Sequence, residues 1–263
     1  MHIICICSFK GGTAKTSTVL HLGSALSNFH NKKVLLIDFD AQANLTTGLG
    51  FDPDEQDSMA PVLQGEKPLA DVILPTCIPN MHIIPADTWL ERVEVSGSLA
   101  ADRYSHERLK ETLRDLPYDF VLIDTPPSLC WLTESALIAS DLSLVCATPE
   151  FYSVKGLQRL SLFIHNISER HGTKVLGVAL SFWNHRGKSN EAFLKVTEQT
   201  FPGKLLQAKV RRDIGVSEAT IYGKPIFETA PKSRASLDYM ALTSEFLTRI
   251  QDVQVQRPSP SAV

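Results

Sequence analysis

No apolar run in this chain approaches the ~20 residues that cross a bilayer, so a membrane-spanning helix is not expected. Charge of neither sign is in excess: 26 Lys and Arg stand against 29 Asp and Glu, giving a net charge of −3. Overall charge therefore does not advertise nucleic-acid binding, and any such site must be a local patch. Zinc-ligand spacing is missing among the five cysteines, Cys5, Cys7, Cys77, Cys130 and Cys146. Most sit in apolar runs and are expected to be buried reduced thiols of a cytosolic protein; Cys5 and Cys7 are placed on opposite faces of a strand. There is no internal repeat, and no leader is expected, because Met1 runs straight into apolar residues. What the chain has is 263 residues, 43% of them hydrophobic, enough for one large core. Residues 1–255 are expected to form one domain, followed by a disordered tail at 256–263, Gln-Arg-Pro-Ser-Pro-Ser-Ala-Val.

The most informative stretch is Cys5 to Ser17, Cys-Ile-Cys-Ser-Phe-Lys-Gly-Gly-Thr-Ala-Lys-Thr-Ser. An apolar strand from Ile3 to Cys7 breaks at Lys10-Gly11-Gly12. A helix follows, with Val19, Leu20, Leu22, Ala25, Leu26 and Phe29 at three- and four-residue steps. Strand, glycine turn and helix start form a phosphate cradle, in which free N–H groups and the helix dipole favour an anion. Lys15 would reach the β- and γ-phosphates of a nucleotide, and the Thr16 hydroxyl would ligate Mg²⁺. The common pattern G-x-x-x-x-G-K-[ST] fails at both glycines, where Phe9 and Ala14 stand.

What matches is a variant, Lys-Gly-Gly-x-x-Lys-[Ser/Thr], whose additional lysine is Lys10. Here the chain resembles the deviant-Walker-A ATPases, the family of ParA, MinD and the nitrogenase iron protein. The resemblance implies ATP as substrate, Mg²⁺ as cofactor and an ATP-dependent homodimer in which Lys10 crosses to the partner's phosphates. It implies that Lys10, Gly11, Gly12, Thr13, Ala14, Lys15, Thr16 and Ser17 hold the nucleotide.

Farther on, Val34-Leu35-Leu36-Ile37 ends at Asp38-Phe39-Asp40, a run typical of a parallel strand buried on both faces. Acidic residues at such a C-terminal end lie where open α/β sheets bind ligands. The segment Asp-Phe-Asp-Ala-Gln-Ala-Asn-Leu-Thr-Thr-Gly-Leu-Gly is similar to a ParA-type segment, with Ala41 for the usual proline. That similarity puts Asp40 beside the attacking water and Asp38 near the metal. Residues 51–80 suggest short helices and loops over a sheet edge, Met81 to Pro85 a short strand, and Thr88 the start of a helix. A longer helix is expected near Ser105–Leu116, with Leu109, Leu113 and Leu116 on one face. Phe120-Val121-Leu122-Ile123-Asp124 forms a strand whose terminal Asp124 would hold Mg²⁺ with Thr16, an ion that takes few protein carboxylates. The Thr-Pro-Pro-Ser after it matches the family's Asp-x-Pro-Pro segment. Strands follow at Leu142–Ala147 and Val175–Leu180, with Pro149 to Gly156 and a helix from about Val154 to Arg170 between them. Strands alternating with helices imply right-handed βαβ units: an α/β fold, a three-layer αβα sandwich with a mostly parallel central sheet.

From Trp183 the chain turns basic, and seven basic residues against three acids lie between Lys204 and Arg234. The segment from Val210 to Ile226 resembles the ParA region that packs on adenine and approaches DNA. Arg212 is thereby expected near the nucleotide. Arg186, Lys188, Lys209, Arg211, Arg212, Lys232 and Arg234 are expected on non-specific double-stranded DNA, which they would read through phosphates. The family's Pro-Arg-Asn is Arg211-Arg212-Asp213 here, and Gly215 stands where an arginine is often assigned to DNA. A last helix, about Ala235 to Val253, would dock through Leu237, Met240, Ala241, Phe246, Leu247 and Ile250. The biological outcome implied is partition of a plasmid or chromosome on the nucleoid of a bacterial cytoplasm, stimulated by a ParB-like partner. A helix-turn-helix module of longer plasmid ParA proteins has no room. Three rivals are weighed: a MinD-like membrane ATPase, a nitrogenase-type reductase, and a regulatory module that holds nucleotide without hydrolysis. The first needs a basic amphipathic C-terminal anchor, which a stretch with Pro258 and Pro260 does not supply. The second needs cysteine segments that Cys130 and Cys146 do not match. The third rests on the methyl group that Ala14 puts near the phosphates.

Overall fold

A computed structural model describes residues 1–95, 104–150, 153–187 and 190–255. Lys188 and the expected tail at 256–263 lie outside the described residues, as do Phe151 and Tyr152. The strands are β1 (His2–Cys7), β2 (Val34–Asp38), β3 (Leu74–Pro75), β4 (Met81–Ile84), β5 (Phe120–Asp124), β6 (Leu142–Ala147), β7 (Lys174–Trp183) and β8 (Leu205–Arg211). The helices are α1 (Lys15–His30), α2 (Asn44–Gly48), α3 (Met59–Leu63), α4 (Trp89–Val95), α5 (Arg108–Thr112), α6 (Trp131–Ala139), α7 (Ser153–His171), α8 (Asn190–Thr200), α9 (Ile214–Ile221), α10 (Ile226–Thr229) and α11 (Arg234–Val255).

One eight-stranded sheet runs in the order β3-β4-β2-β5-β1-β6-β7-β8. Every pairing is parallel except β3 with β4, which is antiparallel at the edge. Strands β2, β5 and β6 are buried along their whole length, as continuous apolar runs require when helices cover both faces. The period of two then sorts their side chains. Cys5, Ile37, Ile123 and Val145 enter one core layer, shared with Leu132 of α6 and Leu160 of α7. Ile4, Leu36, Leu122 and Leu144 enter the other, shared with Leu22 of α1 and Phe246 of α11. This is the expected three-layer sandwich. Cys5 and Cys7 share a face of β1 rather than opposing each other, because residues two apart in a strand point the same way. Cys5, Cys7 and Cys146 are buried, while Cys77 is exposed.

Two further expectations need correction. The helix near Ser105–Leu116 is a single turn at Ser105–Glu107 followed by the short α5. Asp115 is in the left-handed region (φ 58°), and Pro117 disfavours helix in the residue before it. The last helix docks through Ala235, Ser236, Tyr239, Leu242, Thr243, Phe246 and Ile250. Leu237 and Met240 are 56% and 40% exposed, and Ala241 is exposed too, because the small polar Ser236 and Thr243 occupy the buried stripe instead. Thr243 satisfies its hydroxyl on the Tyr239 carbonyl at 2.8 Å, so it can be buried without penalty. The basic segment after Lys204 opens with β8, and α8 precedes it.

The turn after α2 and the turn after α9 meet backbone to backbone. A Cβ on Gly223 (φ 63°) would stand 3.0 Å from the Gly50 Cα and 3.1 Å from its N. Gly65 has a similar backbone (φ 77°) with nothing within 4 Å. Gly65→Ala should therefore cost only the left-handed penalty, about 1–2 kcal/mol. Gly223→Ala should cost ~1–3 kcal/mol more for overpacking against backbone. Urea unfolding of the two variants checks the ranking, and equal losses would show that the two turns separate freely.

Candidate functional site

The strand order turns around β1, with β5 on one side and β6 on the other. Loops leaving the C-terminal ends of β1, β2 and β5 meet there, the place where open α/β sheets take ligands. A cavity of about 560 Å³ opens over this point, lined by all of Lys10 to Ser17 together with Asp40, Gln42, Pro127 and Ile221. The structure thus gathers the expected loop residues and Asp40 at one cavity. Asp38 and Asp124 are fully buried beneath, opposite each other in the β2–β5 register.

The loop's shape comes from two residues. Gly12 has φ 74°, free of cost for glycine, and Ala14 has φ 57°, ψ 30° immediately before α1. Alanine in that region carries a penalty of about 1–2 kcal/mol. The Ala14 carbonyl is held by Thr18 twice, from its N–H at 2.9 Å and its hydroxyl at 2.8 Å. Ala14 therefore takes the left-handed shape its departure from glycine had put in question. No side chain caps α1 at Ala14, so the helix N-terminus keeps donors free to receive an anion.

Lys15, buried, places its Nζ 3.3 Å from Asp124 Oδ1. Burial works against the ammonium, yet the Asp124 and Asp40 carboxylates outweigh it and raise the Lys15 pKa. The Asp124 carboxyl is also raised, although an ion pair alone would lower it. Burial exceeds what the Lys15 charge and the Thr16 hydroxyl return, and Asp124 Oδ2 has no hydrogen-bond partner. One ammonium cannot neutralise Asp38, Asp40 and Asp124 together. Among the described residues no three His, Cys, Asp or Glu side chains form a cage for a metal. The donors present, the unpartnered Asp124 oxygen and the Thr16 hydroxyl, could hold a hard cation that keeps its waters, as Mg²⁺ does.

Asp38 is placed differently. Its Oδ2 accepts from the Thr46 N–H at 2.8 Å and the Thr46 hydroxyl at 2.7 Å, and its Oδ1 from the Asp40 N–H at 3.3 Å. Asp40 Oδ1 accepts the Gln42 N–H at 3.1 Å. Lys10 is half-exposed and ion-paired with Glu150 of its own chain. Glu150 and Thr46 carried no role in the sequence reading, although both stand in segments it singled out.

The basic residues divide. Arg186, Arg211, Arg212 and Arg234 line a second cavity, of about 860 Å³, that reaches Gly12 and Glu150. Arg211 is committed to Asp238, with Nε and Nη2 donating at 2.8 and 2.7 Å, so it is not a free phosphate reader. The Arg212 guanidinium stands 5.7 Å from the Phe182 ring and Lys209 5.0 Å from that of Trp183. Lys232 is exposed and outside this cavity. A further cavity of about 700 Å³, around Pro53–Asp57 and Trp89, includes none of the expected residues.

Burial first, then the Asp124 charge, push Asp38 up to about 7 against the Thr46 hydrogen bonds. The folded chain therefore keeps a proton that the unfolded carboxylate loses between about pH 4 and 7, and stability falls as pH rises through that window. His21, pushed down to about 3 by burial, has the opposite slope below about pH 6.5. The difference between wild type and Asp38→Asn isolates the aspartate. Measured by urea denaturation at pH steps, wild type should lose stability relative to Asp38→Asn on going from about pH 4 to 7. Parallel curves would remove the raised carboxyl.

Comparison with known proteins agrees with this geometry. A family model described as an AAA domain matches residues 1–176. A ParA family protein of Chlamydia pneumoniae is 66% identical over 255 residues, 96% of this chain and 100% of its own. The chromosome partitioning protein ParA of Caulobacter vibrioides is 35% identical over 264 residues, 97% of each chain. The structure of cobyrinic acid a,c-diamide synthase from Mycobacterium smegmatis with bound ATP analog and magnesium is 25% identical. It matches with a TM-score of 0.83 over 100% of both chains. With its phosphate loop at the head of a mostly parallel sheet, this chain belongs to the ParA family.

Proposed function

We propose that this chain is an ATPase that closes into a homodimer on ATP and hydrolyses it to ADP and phosphate. The observation that carries the reading is the buried Lys15–Asp124 pair beneath an uncapped helix N-terminus. Lys15 and the loop N–H groups would hold the phosphates, with Gly11, Gly12, Thr13 and Ser17 forming the walls and Arg212 standing on the side that reaches Gly12. Thr16 and Asp124 would hold Mg²⁺, which supplies charge neutralisation for the phosphoryl group. Asp38, engaged by Thr46 and the Asp40 N–H, supports the metal site only from behind. Asp40, with Oδ1 occupied by the Gln42 N–H, keeps Oδ2 for the attacking water. Since phosphoryl transfer depends on positioning and charge stabilisation, these parts suffice for slow hydrolysis.

Residues 1–255 act as one unit in this reading. The dimer would use Lys10 of each copy on the other's phosphates. The Lys10–Glu150 pair opposes this only weakly, because exposed pairs contribute about 0–1 kcal/mol. Arg186, Arg234 and Lys232, with Lys209, offer exposed or half-exposed charge to the phosphates of double-stranded DNA, and two copies would multiply the contacts. Hydrolysis stimulated by a ParB-like partner would then release the nucleoid and drive partition of a plasmid or chromosome. No described helix is long and apolar enough to cross a membrane.

Steady-state phosphate release with DNA and partner present tests the chemistry. Asp40→Ala should lose about 10²-fold or more in rate while still binding ATP, and equal rates in the two proteins would leave only a nucleotide-holding module. Assembly is tested separately by analytical ultracentrifugation with a non-hydrolysable ATP analogue and Mg²⁺. Wild type should dimerise and Lys10→Ala should stay monomeric; a monomeric wild type would overturn the shared site.

A further inference from the structure

We propose that Thr46 is a positioning residue, which sets the direction of Asp40 by way of Asp38. This inference rests on the hydrolytic reading above. Thr46 is fully buried at the middle of α2, five residues long and too short to persist by itself. Its side chain makes the contact that ties three chain segments together. The hydroxyl donates to Asp38 Oδ2 at 2.7 Å and accepts the Ala86 N–H at 2.9 Å, so β2, α2 and the residue after β4's exit meet at one oxygen. The Thr46 N–H adds a second bond to the same carboxylate oxygen at 2.8 Å.

The other end of that carboxylate reaches the Asp40 N–H at 3.3 Å. Between Asp40 and Thr46 the chain closes on itself. The Ala43 N–H donates to the Asp40 carbonyl at 2.9 Å, and Ala43 takes a left-handed backbone (φ 52°) before α2. The Thr47 N–H and hydroxyl then both donate to the Ala43 carbonyl at 2.9 Å. A turn so closed moves as a unit, and its position is fixed where it is tied to the sheet. The ties are Asp38, the Phe39 N–H on the Asp124 carbonyl at 2.8 Å, and packing of Leu45. Among these, Thr46 alone joins the turn to β4 by a hydrogen bond to the chain beyond it. A change in its hydroxyl would tilt α2 and carry the Asp40 carboxylate with it.

The test uses the full-length chain with ATP, Mg²⁺, DNA and partner. Thr46→Val keeps the volume and removes the hydroxyl, while Thr46→Ser keeps the hydroxyl. Thr46→Val should lower kcat by about 10²-fold, the scale of a small misplacement. KM for ATP should stay within about 3-fold, as expected when ground-state binding is untouched. Thr46→Ser should return most of the rate. In an Asp40→Ala background Thr46→Val should change nothing further, because both act on one group. Should Thr46→Val not fold, Thr46→Ala takes its place, with circular dichroism confirming the fold before rates are compared. Unchanged kcat, an equal fall in Thr46→Ser, or a KM that rises in step with the loss of rate each overturns the proposal. If Asp40→Ala hydrolyses ATP like wild type, the hydrolytic reading itself fails. If Asp40→Ala is impaired and Thr46→Val is not, only the positioning role fails.

Discussion

A single buried ammonium, Lys15, lies among the carboxylates at the head of the sheet, and the site depends on it. Without Lys15, Asp124 would be a carboxylate at 0% exposure with no cation beside it. Breaking a buried pair by removing one partner typically costs about 3–5 kcal/mol. Parallel topology causes the crowding: β2 and β5 run side by side in a register that sets Asp38 opposite Asp124. The loop after β2 then brings Asp40 near enough to raise the pKa of Lys15. The fold thus concentrates negative charge beneath the cavity. Lys15 and the free amides of α1 offset it, together with whatever cation the unpartnered Asp124 oxygen receives.

The excess is shared out unequally, and each acid has separate surroundings. Asp38 gives both oxygens to donors of its own chain and is pushed up to about 7. Asp124 keeps one oxygen without a partner. Asp40, at the cavity wall, gives one oxygen to a backbone amide. Groups of one chemical type in one site are thereby separated by their surroundings, the general route by which carboxylates are set apart for different work.

The central layers were legible because buried parallel strands are apolar throughout. Ile3–Cys7, Val34–Ile37, Phe120–Ile123 and Leu142–Ala147 each mark a strand without competing signals. The placing of the Lys10–Ser17 loop and Asp40 at one cavity was legible too, since it leaves residue patterns: Gly-Gly before a lysine, acids at a strand end. What stayed hidden is held by long-range contact. β8 has only Leu206 and Val210 buried, and its Arg211 and Lys209 read as surface charge until Asp238 and Trp183 are seen beside them. The face of α11 was misjudged because the small polar Ser236 and Thr243 are buried, Thr243 with its hydroxyl on the Tyr239 carbonyl, which hydrophobicity does not record. Thr46 was one more threonine in a polar segment; only the distance to Ala86, 40 residues on, distinguishes it.

The two lysines of the loop show how one motif can contain a fixed part and a movable one. Lys15 is buried, and its attraction to Asp124 acts where water screens little, so it stays where the fold puts it. Lys10, five residues earlier, is half in water, and its pairing with Glu150 has the small net worth of an exposed contact. The difference follows from the turn: Gly11 and Gly12 carry the backbone outward before Thr13 and Ala14 bring it back beneath the cavity. A cation that must hold a site together in every state belongs on the inner side of such a turn. In the proposed dimer Lys10 would turn to a different anion, and on the outer side it has a partner it can leave at little cost. The Gly-Gly step thus sets two equal charges in unequal surroundings.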